Sequence, residues 1–246
     1  MAATIYVDSR YKNSGTDSNF SIELRDTLHF EAPVRLRVDK IRLVDAFFST
    51  DRGKYIYCKD ENNNLSYYTL PEQAYTGYRL ASFLTSQGKN ATYSEVSNAL
   101  TVAHDASFQI LSDAELSSFP GAAFPPGASS ANSRSINHLL GPSFVDGNVR
   151  IFEFIRMNVY NDLYLRSKKL TSGNTICGPR GERDILCKII WGRGVGAIVS
   201  SACPEHFYID LKAPQSFHSI DFQLTDVQGV PVSLRNTTLS FQLVFD

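Results

Sequence analysis

The segment Val34-Arg-Leu-Arg-Val-Asp-Lys-Ile-Arg-Leu-Val44 constrains the fold more than any other part of the chain. Val34, Leu36 and Val38 alternate with Arg35 and Arg37, the period of two that a half-buried strand requires. The apolar positions then move to Ile41 and Leu43. A strand that slips by one residue turns half of its apolar side chains to water unless the extra residue is absorbed. The pattern therefore predicts a β-bulge near Asp39 and Lys40, with all five apolar residues facing one core. Strands of jelly rolls and barrels bend in this way.

Other segments repeat the theme. Phe20-Ser-Ile-Glu-Leu24 alternates cleanly after a polar loop, and Tyr55 to Cys58 and Leu65 to Leu70 flank the turn cluster Asp60 to Asn64 as the arms of a hairpin. Pro71 ends it. Tyr78, Leu80, Phe83 and Leu84 recur at helical spacing instead, with Thr76 placed to cap the start and Gly88 just past the end. Strand character returns at 98–103 and 108–111, Ser112-Asp-Ala-Glu115 has capping-box spacing, and Ser135 to Leu140 reads as a short helical element closed by Gly141-Pro142. Strands are then predicted at 150–155, 159–165, 184–191, 206–211, 217–224 and 239–245. Sixteen Phe and twelve Tyr beside one Trp and two Met favour strand over helix.

The 246 residues suffice for one large β-domain or two small ones. About a dozen short strands, with no repeat of 20–50 residues, predict an all-β fold: an antiparallel, jelly-roll-like β-sandwich with one or two short helices. The expected organisation is a single domain, 1–246, with an inserted loop and helical segment around 112–148. Within that insert, Phe119 to Ser133 is too rich in Pro and Gly for regular pairing and is expected on the surface. Phe119 and Phe124 offer apolar area there, and Pro125 and Pro126 lower the entropy cost of ordering. These four residues are the candidate subunit-contact loop, the alternative being that the loop packs on its own sandwich.

Catalytic chemistry is hard to find. Gly192-Arg-Gly-Val-Gly196 is followed by Ala-Ile-Val-Ser instead of a helix and reads as a hairpin or bulge, not a dinucleotide loop. His29, His104, His138, His206 and His218 are scattered singly, while Glu23, Asp26, Asp221 and Asp226 sit where outer strand faces and turns place them. Neither catalytic residues, cofactor nor metal is expected; Cys203 and His206, with Cys187 upstream, lack a fourth zinc ligand. Lys and Arg number 24 against 25 acidic residues, a formal charge of −1, so the electrostatic signature of a nucleic-acid binder is missing. The densest basic cluster, Arg35, Arg37, Lys40 and Arg42, is a candidate basic strand face, read first as solvated and second as a contact for phosphates or a neighbour's carboxylates. No apolar run approaches the ~20 residues of a membrane span, and Met1 to Arg10 lacks a signal-peptide pattern.

The run Ile5-Tyr-Val-Asp-Ser-Arg-Tyr-Lys-Asn-Ser-Gly-Thr-Asp-Ser-Asn-Phe-Ser-Ile-Glu-Leu24 resembles the opening of penton-type minor capsid proteins from double-stranded DNA viruses of the Polinton, adintovirus and virophage kind. Val34 to Leu43, Tyr68 to Leu84, Leu139-Leu140-Gly141, Ile220 to Gly229 and Leu239 to Phe245 are similar to later segments of the same proteins, in the same order. The resemblance implies a non-enzymatic virion jelly roll that forms homo-oligomers, pentamers before trimers. Implied partners are a major capsid protein and a fibre or host receptor, in a virion assembled in the host nucleus or cytoplasm. A different class of function remains open beside it: a trimeric attachment spike, or a lectin-like sandwich that binds a receptor or glycan through its loops.

The four cysteines, Cys58, Cys177, Cys187 and Cys203, are spread along a chain too long to need disulfide staples. Thiol titration of the unfolded, unreduced chain should return all four, and elemental analysis should return no stoichiometric zinc.

Overall fold

The computed structural model describes residues 3–119, 134–170, 184–190, 194–201, 208–212 and 214–246. The chain divides into two compact units, one of Met1–Ala46 with Tyr160–Asp246 and one of Phe47–Val159. The insert expected around 112–148 is part of the second unit, whose bounds are wider.

The first unit carries β1 (Ala3–Asp8), the two-residue β2 (Ser14–Gly15), β3 (Asn19–Phe30) and β4 (Val34–Val44). After the second unit follow β12 (Asp162–Arg166), β13 (Ile185–Ile190), β14 (Ile198–Ser201), β15 (Ile209–Leu211), β16 (Gln215–Thr225) and β17 (Leu239–Phe245). One sheet has the order β1-β17-β4-β14, with β15 also on β4; the other has the order β13-β12-β16-β3-β2. β14 and β15 pair with the two ends of β4 and share one strand position, and β2 is a two-residue antiparallel edge beside β3. With β2 set aside, the described strands of this unit occupy eight positions in which first pairs with eighth, second with seventh, third with sixth and fourth with fifth, every pair antiparallel. A nested hairpin whose ladders alternate between two sheets is a jelly roll.

Alternation explains why these residues form it. Phe20 and Ile22 on β3, Leu163 and Leu165 on β12, and Phe217, Ile220, Phe222 and Leu224 on β16 are buried in one sheet; Leu239, Leu243 and Phe245 on β17 are buried in the other. The sheets meet at rings: Phe222 packs on Phe241 at 5.0 Å between centroids, and Phe30 stacks on Phe245 at 5.1 Å. Each buried ring is worth roughly 1.5–3 kcal/mol.

β4 keeps all five apolar residues inside, Leu36 and Ile41 being fully buried. Asp39 pairs with Gln242 and Arg42 with Ser240, so Lys40 and Ile41 together face Phe241. Lys40 takes up the slip with φ +49°, the left-handed conformation of a G1-type bulge, whose first position usually holds glycine. β3 runs six residues beyond the Leu24 at which its clean alternation stops, because a second register shift against β16, between Phe217 and Ser219, accommodates the broken pattern.

In the second unit, β5 (Tyr55–Lys59) pairs with β6 (Leu65–Thr69) and with β9 (Gln109–Ile110). A second sheet has the order β10 (Ser143–Asp146), β11 (Val149–Phe152), β8 (Ala99–Ala103), β7 (Ala91–Ser94). The Asp60 carboxylate closes the β5–β6 turn by accepting the N–H groups of Asn62 and Asn64, each at 2.9 Å. α1 (Gly77–Ser86) starts where Thr76 Oγ1 accepts the Arg79 N–H, and it lies on β7 so closely that a Cβ at Gly77 would enter the Tyr93 ring. The capping box forms at α2 (Asp113–Leu116), and α3 (Asn137–Leu140) ends at Gly141 with φ +65°. β5 is buried on both faces: Ile56 and Cys58 join the core of Leu80, Leu84, Leu100, Val102 and Phe152, whereas Tyr55 and Tyr57 join Leu111 and Leu116. No helix among the described residues is long and apolar enough to cross a membrane.

Lys40 is the test of the bulge. Lys40→Val should destabilise the chain by about 1–2 kcal/mol in urea unfolding, because a β-branched residue tolerates the left-handed region poorly, while Lys40→Gly should stay within about 1 kcal/mol of the parent.

Candidate functional site

The pairing register places the predicted basic residues. Arg35, Arg37 and Arg42 share the outer face of the β1-β17-β4-β14 sheet, and Lys40 is exposed at the bulge. The row is largely balanced by acids. Arg35 Nε stands 3.6 Å from Asp210 Oδ1, with its guanidinium 5.7 Å from the centroid of Tyr208. Arg37 Nε stands 4.0 Å from Asp246 Oδ2. Arg42 lies between Ser240 and Ser200 in the register. The Arg35–Asp210 pair is well exposed and contributes little to stability, so it is open to a charged partner, whereas Arg37 is mostly buried, with its Nε out of solvent.

The predicted contact loop divides. Phe119 is partly buried on the aromatic cluster of the second unit, against Tyr55, Tyr57, Leu111 and Leu116; Phe124, Pro125 and Pro126 lie outside the described residues. Tyr55, Tyr57 and Tyr67 form a ring cluster with centroids 5.4–6.2 Å apart. Burial pushes the Tyr57 phenol up to about 12, so it stays protonated at any working pH.

Sequence reasoning passed over the polar centre of the second unit, at Arg150 on β11. The side chain is 8% exposed. Its guanidinium donates to Ser143 Oγ at 3.0 Å on β10, to the Ile110 carbonyl on β9 and to Glu115 Oε2 at 3.1 Å on α2. Burial alone would push the Glu115 carboxyl up, but the Ser112 hydroxyl and N–H, together with Arg150, hold it below the ordinary carboxylate value. One cation thus ties three elements. Asp146-Gly147 at the β10–β11 turn, with Gly147 at φ +57°, was the available signal for this hairpin; nothing local marks Arg150 as buried.

Exposed apolar side chains also went unforeseen. In the first unit, Ile190, Val195, Ile198 and Tyr208 are exposed at or beside β13, β14 and β15, the strands that end the two sheets; Tyr6, on the edge strand β1, is 75% exposed. In the second unit Phe144 and Val145, adjacent on the edge strand β10, are both exposed. Open strand edges carrying apolar residues are the places where β-proteins join other chains.

The titratable residues have structural tasks. Asp221 accepts the N–H groups of Lys168 and Lys169 at 2.9 and 3.1 Å, and Asp226 those of Gln228 and Val230, both at 2.9 Å. His29 Nδ1 meets Ser216 Oγ at 2.6 Å, and His218 stands 3.8 Å from Glu23. Gly196, at φ +85°, turns the chain into β14. Cys58 and Cys187 are buried thiols, and burial raises the Cys58 value; Cys177, Cys203 and His206 lie outside the described residues. Among the described residues no three His, Cys, Asp or Glu side chains stand close enough to share a metal ion.

No family model and no curated protein matches the sequence. Among solved structures, the mavirus penton protein is similar over 100% of this chain and 99% of its own, with a TM-score of 0.52 at 9% identity. A chain of the Sputnik virophage structure is similar over 98% of this chain and 97% of its own, with a TM-score of 0.42 at 13% identity. The likeness to the penton protein establishes a common fold.

Arg150→Met keeps the bulk of the side chain but strips partners from Glu115, Ser143 and the Ile110 carbonyl. Urea denaturation should show a loss of about 2–4 kcal/mol; a loss below ~0.5 kcal/mol would mean that the guanidinium does not hold these elements together.

Proposed function

We propose that this chain is a non-enzymatic virion structural protein, a penton-type or other minor capsid protein that forms homo-oligomers at the capsid. One observation carries the proposal: the rolled hairpin, with a second unit inserted between its third and fourth strands, has the fold of a penton protein along essentially the whole of both chains. Apolar side chains at the ends of both sheets support it, since a capsid subunit must bury part of its outer surface against neighbours. A head-to-tail contact between unlike edges closes into a ring when its rotation divides the circle. In this reading the ring is a pentamer beside a major capsid protein, with a fibre or host receptor as a further partner, in a virion assembled in the nucleus or cytoplasm. Arg35, Arg37, Lys40 and Arg42 serve as a charged docking face, and the segment of Phe119, Phe124, Pro125 and Pro126 reaches a neighbouring subunit.

Light scattering on the purified full chain tests the reading against the protomer mass of 27.4 kDa. Five protomers per particle support it, three favour the attachment spike, and a single copy at every concentration overturns it. Removing 120–133 while retaining Phe119 should lower the copy number and leave the circular dichroism and melting of the monomer unchanged. A deletion that unfolds the monomer assigns the segment to the core instead.

A further inference from the structure

The second unit contains two histidines, and His104 stands beside its polar tie. His104 follows β8, and its backbone N–H donates to the Asn148 carbonyl at 2.8 Å, in the turn just before β11. Its Nδ1 is buried with no hydrogen-bond partner. A neutral imidazole can leave a bare lone pair there at modest cost; an imidazolium carries a proton on both nitrogens, so Nδ1–H becomes a buried donor with no acceptor.

The charged groups around His104 oppose one another. Arg150 on β11 and Lys59 on β5 are cations, while Glu115 on α2 and Asp105 in its own turn are acids. Each acid already accepts at one oxygen, Glu115 Oε2 from Ser112 and Arg150 and Asp105 Oδ1 from the Ser107 N–H and hydroxyl at 2.8 and 2.6 Å, and neither is hydrogen-bonded to Nδ1. Lys59 is turned to Asn63 Oδ1 at 3.2 Å. A second cation beside Arg150 is repelled by it, and one that draws on Glu115 shares the carboxylate that Arg150 holds.

We propose that His104 is an acid-sensitive latch on the second unit: neutral, it leaves Arg150 holding β9, β10 and α2 together, and protonated, it loosens that tie. The device goes beyond a capsid role and does not depend on it. Burial first, then Arg150, holds the His104 imidazole below its ordinary value of 6.5. Above pH 6.5 folded and loosened forms are both neutral at His104 and the tie has its full strength. As pH falls below 6.5 the loosened form takes up the proton more readily, and stability drains away until the folded imidazole also titrates.

Hydrogen exchange of the full chain at pH 7.5 and 5.5, corrected for intrinsic rates, reads the effect. Peptides covering 109–116 and 143–152 should open more often at pH 5.5, by up to roughly tenfold, the ratio at which a free imidazole of pKa ~6.5 is protonated there. His104→Asn should abolish the acceleration, and His138→Asn, at the other histidine of this unit, should retain it. Equal exchange at the two pH values in the parent, or acceleration that survives His104→Asn, overturns the latch. Should His104→Asn not fold, NMR titration of the parent decides: a His104 value below 6.5 supports the proposal, and 6.5 or above refutes it.

Discussion

Everything in the jelly roll depends on the pairing of β4. It is hydrogen-bonded to β17 along one side and to β14 and β15 along the other, so three strands inherit its register. Without the residue absorbed at Lys40, Ile41 and Leu43 would turn outward and Arg42 would turn into the core. The cost of burying an unpaired guanidinium exceeds the strain of one left-handed residue by several kcal/mol. The bulge is thus the less costly of two defects, and it leaves a long central strand whose inner face is apolar throughout and whose outer face is basic.

The second unit obeys a different logic. Its sheets are short, and β5 buries both faces instead of one. The two-residue β9 and the one-turn α2 each bury one apolar side chain, Ile110 and Leu116, and Arg150 adds three directed hydrogen bonds that join them to the edge strand β10. Such a tie is strong while all of its partners are in place, and it is more sensitive to charge than a purely apolar core would be.

What could be read from the sequence followed the range of the interaction. The alternation in β4, the Asp60 turn, the Thr76 cap, the Ser112–Glu115 box and the Gly141 stop are all settled within a few residues, and each stands where expected. The union of β1 with β17, the continuation of β3 beyond Leu24, the bounds of the inserted unit at 47 and 159, and the burial of Arg150 depend on residues far apart in the chain. An arginine between Val149 and Ile151 looks like any outward strand residue until β9 and α2 are placed against it. The basic row at Arg35, Arg37 and Arg42 was visible as a pattern, whereas its acidic counterweights, Asp210 on β15 and Asp246 just past β17, could be assigned only once the register was known.

The nesting of the strands has a consequence for how the chain is made. Leu239 N–H donates to Ser9 Oγ across 230 positions of sequence, and among the described residues β1 pairs with β17 alone. The sheet that holds β4 therefore stays open until the last strand leaves the ribosome. The described strand pairings of 47–159, by contrast, lie within that segment. Contact order accordingly differs sharply between the two units: the inserted one can condense during synthesis, while β1, β3 and β4 wait with their edges exposed. That interval, rather than the finished fold, is when this protein is most exposed to misassociation.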